Sequence, residues 1–136
     1  MLIKDWLIAW NKHNLEGVME LIHDDIVFEN WTGEITIGKS NLQRSWFPWF
    51  INHGNFKFTQ VDIFVDEQEQ KVLFSWTLHW PSTEKHYKGK PEVRQGLDIL
   101  YFKDSKICKK YTFSKTTIQI DSMNVSLIAP KIDTIQ

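Results

Sequence analysis

Asp98 is the carboxylate in this chain whose neighbours suggest chemistry. Leu97 and Ile99 flank it, and strand alternation across Val93 to Phe102 puts it on the face of Arg94, Gly96, Leu100 and Phe102. A carboxylate on so apolar a face is costly unless it finds a partner. In a cleft, such a group suits a general acid or base. The competing role is structural: a pair with Arg94, four residues away on the same face, or a hydrogen bond from a Trp or Tyr. If Asp98 meets an open pocket, Leu100 and Phe102 are expected on its wall, with His79 and Tyr111 as the titratable neighbours.

Other chemistry finds less support. The five histidines, His13, His23, His53, His79 and His86, contain no pair spaced four apart and no cluster with cysteine, so no metal site is expected. Gly89-Lys90 lacks the rest of a phosphate loop, and no cofactor is expected. Cys108 has no partner for a disulfide and reads as a small buried hydrophobe. Glu29 reads most simply as a solvent-facing strand residue.

The other unusual feature is aromatic. Seven Trp, nine Phe and three Tyr make up 14% of the chain, and rings of that size must enter a core, a pocket wall or an interface. Trp31, Trp46, Trp49, Trp76 and Trp80 are candidates for an aromatic pocket that takes a flat or hydrophobic molecule, although core filling is the default for any one of them. The run Trp46-Phe47-Pro48-Trp49-Phe50 is apolar on every side, too broad for a single buried stripe, and favours the pocket for the set. Trp6 and Trp10 are assigned to helix packing and Tyr101 to the outer sheet face.

These residues must be positioned by two kinds of element. Leu2, Ile3, Trp6, Leu7 and Trp10 recur at helical spacing, and Asn14 caps a second stripe of Leu15, Val18, Met19 and Ile22. Ile26 to Trp31 alternates as a strand, a turn follows at Thr32-Gly33-Glu34, and Ile35 to Ile37 returns. Ser40 opens a third helix through Leu42, Trp46, Trp49 and Phe50, with Pro48 kinking or ending it. Four long runs then change the period to two: Phe56 to Val65, Val72 to Trp80, Val93 to Phe102 and Ile107 to Phe113. In the second of these, Val72, Phe74, Trp76, Leu78 and Trp80 form the face expected to be buried. Helices followed by an antiparallel meander make an α+β fold with helices on one face of one sheet.

Length and charge set outer limits. A chain of 136 residues is one ordinary domain, here spanning residues 1–136, with 115–136 as a C-terminal extension or an extra edge strand. Sixteen basic and seventeen acidic side chains, interspersed, form no basic face, so nucleic acid is not an expected partner. No secretory h-region follows Met1 and no apolar run is long enough for a bilayer, so a cytoplasmic protein without a membrane partner is expected.

The element order and several local motifs resemble the SnoaL-like polyketide cyclase family, within the nuclear transport factor 2-like and ketosteroid isomerase-like superfamily. The resemblance covers about Leu2 to Phe113. It rests on Ala9-Trp10-Asn11-Lys12-His13-Asn14-Leu15, on Asp24-Asp25-Ile26-Val27-Phe28-Glu29-Asn30, on Gly38 to Leu42, and on Gly96 to Ile107. It implies a cystatin-like cone, a strongly bent antiparallel sheet wrapped around the N-terminal helices and open at one end into an apolar pocket. It also implies a homodimer through the sheet's outer face, and a pocket-facing Asp98 as general acid or base. The sequence departs from the ketosteroid isomerase pattern, since the first helix has no tyrosine; indole N–H groups donate hydrogen bonds but do not exchange protons. Two functions follow: binding of a small hydrophobic molecule in a pocket of Trp31, Trp46, Trp49, Trp76, His79, Leu100, Phe102 and Tyr111, or isomerase, cyclase or hydrolase chemistry with Asp98 as catalyst.

Overall fold

A computed structural model of the chain describes residues 2–127. Three helices precede most of the sheet: α1 (Leu2–Asn11), α2 (Leu15–Glu20) and, after two strands, α3 (Lys39–Ile51). Asn14 caps α2 through its side chain, which accepts from the Gly17 amide at 3.0 Å. The second helix stops short of Ile22, because that residue already begins β1 (Ile22–Glu29). α3 starts two residues earlier than the Ser40 cap implies. Its N-cap is Gly38, at φ 91°, a backbone conformation suited to glycine. Pro48 lies inside α3 and does not end it: the helix runs on to Ile51, and the Pro48 carbonyl still accepts from the Asn52 amide.

The strands continue with β2 (Ile35–Ile37), β3 (Lys57–Asp66), β4 (Lys71–Pro81), β5 (Pro91–Lys103), β6 (Lys106–Ser114), β7 (Thr117–Ile120) and β8 (Met123–Ser126). They form one sheet in the order β2-β1-β6-β5-β4-β3, and the β7–β8 hairpin attaches to the first residues of β5. The pairings are antiparallel except for β1 and β6, which run parallel and join the N-terminal β1–β2 hairpin to the later strands. Asp104 and Ser105 join β5 to β6 with φ of 53° and 62°, the two-residue turn that matches strand twist.

The period of each run decides what it buries. On β4, Val72, Phe74, Trp76, Leu78 and Trp80 are all buried, as alternation predicts, while His79 between the last two is exposed. α1 contributes Ile3, Trp6 and Trp10 to the same interior, and α3 contributes Leu42, Trp46 and Phe50. The fold is therefore the expected α+β cone, a curled sheet with its helices on the inner side. No helix among the described residues is long and apolar enough to cross a membrane.

Candidate functional site

The inner face does not fill completely. Between the helices and the sheet lies a cavity of about 310 Å³, and all seven tryptophans of the chain line it. Trp6 and Trp10 come from α1, Trp46 and Trp49 from α3, Trp76 and Trp80 from β4, and Trp31 from the β1–β2 turn. Trp6 and Trp10 are thus cavity wall as well as helix packing, which corrects their assignment to packing alone. The rings meet mostly edge to face: Trp10 and Trp46 lie 4.9 Å apart between centroids, and Trp49 and Trp80 5.1 Å. Trp10 also carries the single buried side-chain polar atom among the described residues that has no hydrogen-bond partner, its Nε1.

Asn30, Glu34, Thr36 and Ser45 add polar groups to this mostly apolar chamber, and one side of it carries buried charge. Asp98, Lys110 and Thr112 line it together, and strand register explains their meeting. Asp98 pairs with Thr112 across β5 and β6, and Lys110 is one step along the same face, opposite Leu100. Thr112 donates its hydroxyl to Asp98 Oδ1 at 2.8 Å and accepts from the Lys110 ammonium. Lys110 Nζ lies 3.3 Å from Asp98 Oδ2, with both side chains almost fully buried. The Trp76 indole adds a third contact, donating to Asp98 Oδ1 at 3.1 Å. Trp76 reaches that far because Gly96 stands opposite it; a methyl group there would come within 2.5 Å of the ring. The Lys110 ammonium also sits 4.6 Å from the centroid of Phe28, a cation over an aromatic face. Burial pushes the Lys110 ammonium below the usual lysine range, and the adjacent Asp98 carboxylate only partly offsets this.

A second polar network occupies the same strand face nearer the start of β5. Glu92 is fully buried and accepts from Ser82 Oγ at 2.8 Å, from Arg94 Nε at 3.0 Å and from the Trp80 indole. Arg94 also reaches Glu84 at 3.0 Å, and its guanidinium lies flat against Trp31, 4.6 Å from the centroid. Arg94 is therefore not the partner of Asp98. Its carboxylates come from two and ten residues away in sequence, and they leave none of its charge for the cavity's acid.

Of the expected pocket residues, Trp31, Trp46, Trp49, Trp76 and Asp98 are brought together on the cavity, and four are not. His79 points to the outer face, because β4 alternates and its neighbours Leu78 and Trp80 point in. Leu100 shares the face of Asp98 but is wholly enclosed by core. Phe102 lies four residues along from Asp98, about 13 Å at strand rise, and packs against that core beyond the cavity. Tyr111 faces outward, beside Tyr101 at 5.8 Å. Its reversal has a specific cause. Ile107 pairs with Phe102 and Lys109 with Tyr101, so Cys108 is an extra residue, a β-bulge. A one-residue slip exchanges the two faces of a strand, turning Lys110 and Thr112 in and Tyr111 out. Cys108 itself is half-exposed rather than buried.

The missed polar residues of the lining are Lys110 and Thr112, with Asn30, Glu34, Thr36 and Ser45. No local signal separates Lys110 from Lys109 beside it; the bulge at Cys108 decides which of the two turns inward.

The residues that match the SnoaL-like domain family run from 3 to 110, most of the chain. No curated protein matches it. Among solved structures, a proposed polyketide cyclase from Pseudomonas putida superposes with a TM-score of 0.70 at 16% identity, covering 84% of this chain and 89% of that one. An NTF2-like protein of unknown function from Mesorhizobium loti gives 0.67 at 17%, covering 84% and 88%. TerC co-crystallised with polyporic acid gives 0.69 at 13%, covering 85% and 89%. At these identities the likeness is one of fold.

Proposed function

The chain belongs to the SnoaL-like domain family, and from that premise we propose that it binds a small, flat, largely apolar molecule in its tryptophan-lined cavity, with one polar group of the ligand against Asp98, Lys110 and Thr112. The carrying observation is that every tryptophan in the chain borders one cavity, and that the same cavity reaches the buried Asp98, Lys110 and Thr112. Core packing alone has no use for a chamber of about 310 Å³ beside a buried ion pair, since interiors are ordinarily filled. A mostly apolar pocket with a few convergent polar groups is the usual form of a small-molecule site. TerC, with the same fold, was co-crystallised with polyporic acid, which makes a reasonable first probe.

A second reading, acid–base catalysis by Asp98, is favoured by one observation: although Trp76 and Thr112 both donate to Asp98, the carboxylate still adjoins the cavity. In that reading Asp98 takes or gives a proton at the ligand, and Lys110 steadies the negative charge that develops on a ligand oxygen. A homodimer is part of the same reading. Phe64, Leu73, Leu97, Ile99 and Phe113 share the outer sheet face by register, and Phe64 and Phe113 are exposed, which suits a face covered by a second copy.

The test is a thermal-shift screen of polyporic acid and then of planar aromatic compounds, followed by calorimetry. At least one compound should bind one per chain and raise Tm; binding to none across the screen rejects the reading. Asp98→Asn should then leave turnover of any substrate found at no more than a hundredth of wild type, while unchanged turnover removes Asp98 from catalysis. Light scattering should give twice the chain mass at micromolar concentration, and a monomer rejects the dimer.

A further inference from the structure

We propose that Lys110 captures carbonyl compounds covalently, so that the cavity's preferred ligands are aromatic aldehydes or ketones held as an imine on the lysine. The proposal rests on the reading of the cavity as a small-molecule site and adds a chemical class to it. Three observations lead there. First, Lys110 Nζ lies on the wall of an aromatic chamber, away from bulk water, where a ring-bearing carbonyl has its apolar part already accommodated. Second, an acid–base group stands beside the amine: Asp98 Oδ2 at 3.3 Å. Third, Thr112 fixes the pair, since its hydroxyl bonds to Asp98 Oδ1 and accepts from the ammonium, and Trp76 holds the carboxylate from the other side. Lysines used for imine formation are those whose ammonium is made less stable by an apolar site. Burial acts on Lys110 in that direction.

The steps balance without any further reagent. Asp98 accepts one proton from the Lys110 ammonium, and the neutral amine attacks the carbonyl carbon. A proton passes from nitrogen to oxygen, giving a carbinolamine and leaving Asp98 protonated. Asp98 returns its proton to the carbinolamine hydroxyl, the C–O bond breaks, water leaves, and the nitrogen lone pair completes the C=N bond. The product is a protonated imine that keeps one positive charge beside the restored Asp98 carboxylate. One ammonium and one carbonyl have become one iminium and one water.

The experiment uses the full chain and naphthaldehyde, with borohydride to reduce any imine to a stable amine, and peptide mapping by mass spectrometry to locate it. Naphthalenemethanol, the same ring without a carbonyl, reports non-covalent binding by calorimetry. Lys110 should be labelled at least tenfold faster than the average surface lysine, and excess naphthalenemethanol should protect it. Asp98→Asn should slow its labelling by tenfold or more, with circular dichroism confirming the fold. If naphthalenemethanol binds but adducts are spread over surface lysines with Lys110 unmodified, the covalent proposal is overturned and the cavity reading stands. If neither naphthalenemethanol nor any compound of the screen binds, the cavity reading itself fails and the proposal falls with it; if other compounds bind and Lys110 stays unlabelled, the covalent proposal alone is overturned.

Discussion

Two buried charge clusters sit on one face of β5, a few residues apart, and differ in what they border. Around Glu92, the carboxylate has three donors, and Arg94 is held between two carboxylates and against Trp31. That cluster ties β5 to the connection between β4 and β5 and stays off the cavity wall. Around Asp98, the carboxylate also has three partners, Lys110, Thr112 and the Trp76 indole, but here both charged groups border the cavity. Arginine is suited to a closed, forked network and lysine to a site where charge can be lost. The contrast assigns the first cluster to structure and the second to ligand chemistry.

The largest expected effect comes from breaking the closed cluster. Arg94→Met leaves Glu92 buried without its cation, and should lower unfolding free energy by about 3–5 kcal/mol in urea titrations. A change below about 1 kcal/mol would erase the distinction drawn here. The open cluster should respond to ligand instead: at a hundredfold excess over Kd, a bound compound adds about 2.7 kcal/mol to wild type. Gly96→Ala, whose methyl group would come within 2.1 Å of the Phe113 carbonyl oxygen and 2.5 Å of the Trp76 ring, should cost about 3 kcal/mol and weaken ligand binding together with stability. Replacing the whole open pair, Asp98→Asn with Lys110→Met, should leave stability within about 1 kcal/mol of wild type, because removing both charges also removes their desolvation cost.

A pH series sharpens the comparison from the lysine's side. Burial holds the Lys110 ammonium below its unfolded value, so between those two values the unfolded chain keeps a proton that the folded chain has lost. Folding stability from this group therefore rises with pH across that alkaline window. Urea midpoints of wild type should show the rise, and Lys110→Met should flatten it; an equal slope in both would place the titration elsewhere.

Most of the fold was legible because each run kept a clear period. The stripe of Trp6 and Trp10, the cap at Asn14 and the alternation of β4 each follow from local chemistry. The cavity tryptophans were legible as a set through their number, though the split between wall and core was not, since one ring can serve both. What escaped was long-range or register-dependent. Nothing local signals that β1 pairs in parallel with β6, nor that Glu84 and Glu92 claim Arg94. The Cys108 bulge inverted the faces of β6, hiding Lys110 and promoting Tyr111 in its place. The site's acid was visible because it sits on an unbroken strand; its partner was invisible because its strand is broken.

The most direct test of the cavity as the ligand site is the set of seven indole N–H signals in a two-dimensional nitrogen–proton NMR spectrum, followed during titration with naphthalenemethanol. The account predicts saturable shifts of the indole signals, with Trp76, bonded to Asp98, and the unpartnered Trp10 among those that move, while backbone signals of Tyr101, Tyr111 and Phe113 on the outer face stay in place. Stationary indole signals with shifts confined to that outer face would contradict it.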